Sequence, residues 1–95
     1  MAKVAVVTGA SGGMGRAITK ALIRDGFMVV GLDLKDQSEK FDPTQYAHFT
    51  LDLTKSQEID SVFGEIESRF SGVDALVNNA GSCFMSDFPE IPADE

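Results

Sequence analysis

Val4-Ala5-Val6-Val7-Thr8-Gly9-Ala10-Ser11-Gly12-Gly13-Met14-Gly15 is the stretch on which the fold turns. Its first four residues form an apolar run without polar alternation, the pattern of a strand buried on both faces in a parallel sheet. A glycine cluster interrupts the run. From Met14 onward the apolar residues recur at Met14, Ala17, Ile18, Ala21 and Leu22, which is helical spacing, and Asp25-Gly26 supplies a stop. A strand, a glycine-rich turn and a helix in that order place backbone amides and the positive end of a helix dipole where an anionic phosphate can approach closely.

Working outward, the same alternation repeats. Phe27 to Leu32 reads as a second buried strand closing at Asp33, and the polar, Pro43-containing segment from Lys35 to Tyr46 leaves room for at most an abbreviated crossover helix. Ala47 to Leu51 reads as a third strand. Thr54-Lys55-Ser56-Gln57 has the form of a capping box ahead of a helix whose apolar face is Ile59, Val62, Phe63, Ile66 and Phe70. Ser71-Gly72 ends that helix, Val73 to Val77 is a fourth strand, and Asn78-Asn79-Ala80-Gly81 follows it. Strands alternating with helices imply a parallel α/β sheet with helices on both faces and a ligand site at the carboxyl ends of the strands.

The chain of 95 residues carries eight basic and fifteen acidic side chains, a net charge of −7, which disfavours nucleic acid or an anionic membrane surface as the main partner. No apolar run approaches the roughly 20 residues of a membrane span, and the N-terminus does not read as a signal peptide. The single cysteine, Cys83, cannot form an internal disulfide, and no His/Cys cluster has metal-ligand spacing, so the expectation is a cytoplasmic chain without a metal site. His48 lies within a strand pattern with no nucleophile or carboxylate placed to pair with it, and reads as structural. Cys83 reads as a small buried hydrophobe. The tail from Phe84 to Glu95, with Pro89 and Pro92, suits a loop entering a further helix.

The spacing Thr8-Gly9-x-x-x-Gly13-x-Gly15 resembles the glycine segment of the short-chain dehydrogenase/reductase family. The resemblance continues at Asp33, at Asp52-Leu53 and at Asn78-Asn79-Ala80-Gly81, each at the carboxyl end of an expected strand. It implies a Rossmann-type sheet, here the N-terminal four-strand portion of a longer doubly wound domain, with residues 1–95 as the NAD-binding half. It implies that Gly9, Ser11, Gly12, Gly13, Met14 and Gly15 surround the pyrophosphate and adenosine ribose. Asp33, with Leu34 beside it, would receive the ribose hydroxyls, and Asp52 and Leu53 would hold the adenine. Asn79 would tie the fourth strand to Thr8, and Ala80 and Gly81 would pass near the nicotinamide ribose.

A carboxylate at Asp33 repels a 2′-phosphate and accepts from a free 2′-hydroxyl, so NAD is favoured over NADP. Gly12, without a side chain, stands where NADP-preferring relatives often carry a basic residue. Arg16 and Lys35 are the two cations that could oppose this. The family's second signature, a Tyr followed four residues later by Lys, is missing: the sole tyrosine, Tyr46, is followed at that spacing by Thr50 and is placed in the connection before the third strand. No catalytic residue is therefore assigned, and the chain alone is expected to be inactive. Two readings stay open: the cofactor half of an oxidoreductase, homo-oligomeric when complete, that moves a hydride between NAD and a secondary alcohol or ketone; or a non-catalytic dinucleotide-binding module or truncated product.

Overall fold

In the computed structural model, which describes residues 3–70 and 72–79, the chain runs β1 (Val4–Thr8), α1 (Gly13–Arg24), β2 (Met28–Asp33), β3 (Tyr46–Thr50), α2 (Ser56–Phe70) and β4 (Ala75–Val77). The strands form one parallel sheet in the order β3-β2-β1-β4. The expected α/β class and four strands are all present.

Alternation along the central strands divides the core into two layers. Val4, Val6, Val30 and Leu32 face α2 and pack with Ile59, Phe63 and Ile66, joined by Leu51 and Leu53. Val7 and Val29 face the other way, with Ala10 and Tyr46, against Ile18, Leu22 and Ile23 of α1. All five residues of β1 are buried, which is why Val4 to Val7 is an unbroken apolar run rather than an alternating one. Each large side chain removed from water contributes roughly 1.5–3 kcal/mol, so these two layers are what hold the helices to the sheet.

The crossovers run in opposite directions from the centre: α1 connects β1 to β2, whereas α2 carries the chain from β3 back past both to β4. The strand order therefore reverses between β1 and β4, and the loops that diverge there open a crevice at the carboxyl ends. α1 ends as the sequence implies. Gly26 has φ 95°, and its amide donates to Ile23 O while that of Phe27 donates to Leu22 O, the pair of bonds that closes a helix through a left-handed residue.

Several boundaries differ from the sequence reading. β2 begins at Met28 rather than Phe27, β3 spans Tyr46–Thr50 rather than Ala47–Leu51, and no helix forms between Asp33 and Tyr46. β4 is shorter than Val73–Val77 because Asp74 is used to fasten its start: its carboxylate accepts from the Val4 amide at 2.7 Å and its own amide donates to Val4 O at 2.8 Å. The capping box at Thr54–Gln57 does not form. Asp52 Oδ1 instead accepts from both the amide and hydroxyl of Thr54, at 2.9 and 2.6 Å, and the Glu58 carboxylate accepts from the Asp52 amide. α2 starts at Ser56, one residue too late for Thr54 to be its N-cap, and Thr54 sits instead in a turn closed on the Asp52 carboxylate.

Candidate functional site

The loop from Thr8 to Gly12 turns sharply at Gly9, whose φ of 68° is left-handed and suits glycine. Its amide and that of Ala10 donate to Leu32 O, so the loop is sewn to the end of β2. Gly12 is the N-cap of α1, and it offers no side chain to cap the first turn; that turn also lacks an acidic residue. In a chain of net charge −7, this keeps the positive end of the helix open to an outside anion.

The three helix-side glycines serve different ends. A Cβ on Gly15 would overlap the Gly9 carbonyl oxygen and lie 2.8 Å from Ala10 Cα, so this glycine lets α1 approach the loop. A Cβ on Gly13 would meet nothing within 4 Å, and Gly13 is not among the residues of positive φ. At Gly13 what the missing side chain leaves is space.

That space belongs to a cleft of about 590 Å³ lined by Gly9, Gly12, Gly13, Met14, Asp33, Leu34, Asp52, Leu53, Thr54 and Asn79. The volume is within the usual range for small-molecule sites. Nine of the ten are residues the sequence singles out, and Thr54 is the one it missed; its conspicuous role as a helix cap concealed it. Met14 and Leu34, 69% and 65% exposed, are large apolar side chains left in solvent at this cleft. Ser11 and Gly15 are not among the residues that line it. Ala80 and Gly81 lie outside the described residues, as do Cys83 and the tail.

Asp33 joins two loops. Its Oδ2 accepts from the Ser11 amide and its Oδ1 from the Lys35 amide, both at 3.0 Å. Each oxygen keeps a lone pair for a further donor, which a ribose hydroxyl can supply. Asp52 is held by Thr54, and the bonds from that hydroxyl and amide keep its carboxyl below the usual carboxylate range. At the switch point the Asn79 amide donates to Thr8 Oγ1 at 2.9 Å and its side-chain Nδ2 to Gly9 O at 3.3 Å, so the asparagine ties β4 to β1 as the resemblance implies.

Of the two cations that could oppose the preference for NAD, Arg16 is engaged elsewhere. Arg16 Nε donates to Gly12 O, and its guanidinium and the Lys20 ammonium flank Glu39 at 3.8 and 3.2 Å. Neither Arg16 nor Lys35 is among the residues lining the cleft.

Tyr46 corrects its placement in a connection. It is the first residue of β3, 8% exposed, and its ring lies over Gly31, where any Cβ would overlap the phenol. Burial is the main cause that pushes its pKa above the ordinary phenol value, with the negative charge of Asp33 adding to it against the opposing Gln37 hydrogen bond. His48, read from the sequence as structural and without a partner, has two: its Nδ1 lies 2.7 Å from Tyr46 OH and its Nε2 2.9 Å from Lys35 O. Among the described residues no group of His, Cys, Asp and Glu is arranged to hold a metal, and no helix is long and apolar enough to cross a membrane.

A parallel sheet with a glycine turn at the amino end of its first helix and an acidic residue closing its second strand defines a Rossmann-type fold. Residues 3–95 match the family model of the short chain dehydrogenases, and the chain belongs to that family. Among curated relatives it is 43% identical over 94 residues to farnesol dehydrogenase of Aedes aegypti, covering 90% of this chain and 38% of the relative. It is 34% identical over 94 residues to the NAD-dependent glycerol dehydrogenase of Listeria innocua, covering 95% of this chain and 37% of the relative. The ligand-free aldohexose dehydrogenase of Thermoplasma acidophilum superposes with a TM-score of 0.76 at 35% identity, over 84% of this chain and 30% of that one. The chain thus spans little more than a third of the length of the curated relatives it matches.

Proposed function

We propose that residues 1–95 form the NAD-binding half of an oxidoreductase that transfers a hydride between the nicotinamide and a secondary alcohol or ketone. The observation that carries this reading is Asp33: a carboxylate fixed by two backbone amides at the end of β2, facing a cleft that no basic side chain lines. When bound, the nicotinamide supplies the hydride chemistry. The chain's own part is to bind and orient. The open first turn of α1 receives the pyrophosphate, Gly13 leaves room for its approach, and Asp33 accepts from the adenosine ribose hydroxyls. Asp52, Leu53 and Leu34 flank the adenine. Asn79 holds the end of β4 against β1 at the switch point.

Asp33 supports NAD over NADP because a 2′-phosphate there would set two anions against each other in a partly desolvated cleft. Glu39 supports it too, since it engages the Arg16 and Lys20 side chains that could otherwise answer that phosphate. The name of the Listeria innocua relative, an NAD-dependent dehydrogenase, agrees. Among the described residues Tyr46 is not placed to pass a proton to a substrate oxygen, because it is buried against the sheet and bonded to His48 and Gln37. Asp33→Ala, titrated with NADH and NADPH, tests the reading: the preference for NADH should narrow, and an unchanged ratio would remove Asp33 from the site.

A further inference from the structure

We propose that Tyr46 and His48 are positioning residues for the adenosine ribose, acting through the backbone of Lys35 on Asp33. This rests on the reading above that Asp33 receives the ribose. Neither side chain lines the cleft. Both belong to a closed ring of hydrogen bonds that joins the glycine loop to the segment after β2.

The ring begins at Ala10 O, which accepts from Gln37 Nε2 at 2.9 Å. The second hydrogen of the same nitrogen goes to Tyr46 OH at 3.1 Å, and Gln37 Oε1 accepts from the Glu39 amide at 3.2 Å. Those partners fix which way the amide faces, since a flipped amide would set Oε1 against Ala10 O and Nε2 against the Glu39 N–H. With one hydrogen received, the Tyr46 hydroxyl gives its own to His48 Nδ1. His48 Nε2 then donates to Lys35 O at 2.9 Å, because a carbonyl can only accept. The Ser11 hydroxyl donates to the same carbonyl oxygen at 2.9 Å, and Ser11 follows Ala10, which closes the ring.

The Lys35 carbonyl makes His48 Nε2 a donor, and the Tyr46 hydroxyl, already accepting from Gln37, has its own hydrogen to give to Nδ1. The carbonyl so held belongs to Lys35, whose own amide, on the other side of the same Cα, donates to Asp33 Oδ1, while the Ser11 amide donates to Oδ2. The orientation of the Asp33 carboxylate is thus set from both sides by residues of the ring. Gly31 makes the arrangement possible: it lies across from His48 in the β2–β3 register, and its missing side chain is the space that the Tyr46 phenol fills.

The test measures affinities of the 95-residue chain for NAD and for NAD lacking the 2′-hydroxyl on its adenosine ribose. A hydrogen bond to a charged acceptor corresponds to roughly a tenfold or greater preference for NAD in the unaltered chain. Tyr46→Phe keeps the ring over Gly31 and removes the hydroxyl; His48→Leu removes both nitrogens. Each should cut that preference to below about threefold. His48→Gln, which can still present a donor near the Nε2 position, should recover most of it. A variant that had only lost stability would weaken both ligands alike and leave the ratio alone. An unaltered chain with the full preference and variants with the same ratio would overturn the positioning role while leaving the Asp33 reading intact. No preference in the unaltered chain would overturn that reading, and this inference with it. Independently of any variant, nitrogen-15 NMR of the unaltered chain should show His48 as the Nε2–H tautomer, and the Nδ1–H form would contradict the ring.

Discussion

Gly15→Ala isolates the contact that brings α1 against the glycine loop. The added Cβ would overlap the Gly9 carbonyl oxygen and sit 2.8 Å from both Gly9 C and Ala10 Cα. All three are backbone atoms, so no side chain can rotate away, and either the helix or the loop must shift. Overpacking of this kind costs typically about 1–3 kcal/mol, against which alanine in a helix returns up to about 1 kcal/mol relative to glycine. The expected net loss is about 1–2 kcal/mol, and each kcal/mol corresponds to roughly 4–8 °C in the melting midpoint for a domain of this size. Gly13→Ala is the matched control. Its Cβ meets nothing within 4 Å, so stability should hold or rise, while the methyl in the cleft should weaken NADH binding by at least about tenfold. Thermal melting by circular dichroism reads the first effect and NADH fluorescence titration the second. A Gly15→Ala chain that melts at or above the unaltered midpoint would refute the close-approach argument, and a Gly13→Ala chain of undiminished NADH affinity would refute the phosphate-site argument.

Three further outcomes follow from other positions. Thr19 is fully buried on α1, and its hydroxyl is the one buried side-chain oxygen without a hydrogen-bond partner among the described residues. Thr19→Val should therefore raise stability by about 1 kcal/mol in urea unfolding, and a loss of that size would show the hydroxyl to be satisfied. Gly64 is exposed in the interior of α2 with open space around its Cα, so Gly64→Ala should add up to about 1 kcal/mol by the same assay; a decrease would mean the helix is not formed there. Asp42 and Asp52 are both held below the ordinary carboxylate range, Asp42 chiefly by the Thr44 amide and Asp52 chiefly by the Thr54 hydroxyl. A folded-state value lower than the unfolded one gives stability that is present above the carboxylate range and lost as pH falls through it. Melting midpoints should fall on acidification from pH 5 toward 3, less steeply in Asp42→Asn, and an identical slope in that variant would contradict the assignment.

The sequence makes legible what local period and residue type determine. β1, the glycine turn and α1 are plain because a buried strand, a turn and an amphipathic helix follow one another within 21 residues, Val4 to Arg24. Asp33 and Asp52 are visible as acidic residues closing apolar runs. What escapes is set by groups distant in sequence. Tyr46 reads as a loop residue because its burial depends on a missing side chain at Gly31, fifteen residues earlier and on the neighbouring strand. His48 reads as partnerless because one partner is a main-chain carbonyl, which no residue code displays. The capping box fails because Asp52 draws Thr54 into a turn and the helix begins only at Ser56, past the position from which Thr54 could cap it. Gly13 and Gly15 look alike in sequence, and only the packing of α1 separates the one that admits a helix from the one that leaves a cleft open.

The claim that the cleft is an NAD site, selected by Asp33, is tested most directly by titrating the folded 95-residue chain with NADH and NADPH side by side under matched salt. The account predicts saturable binding of NADH at least about tenfold tighter than NADPH. Equal affinities, a preference for NADPH, or no binding of either by a chain shown to be folded would contradict it.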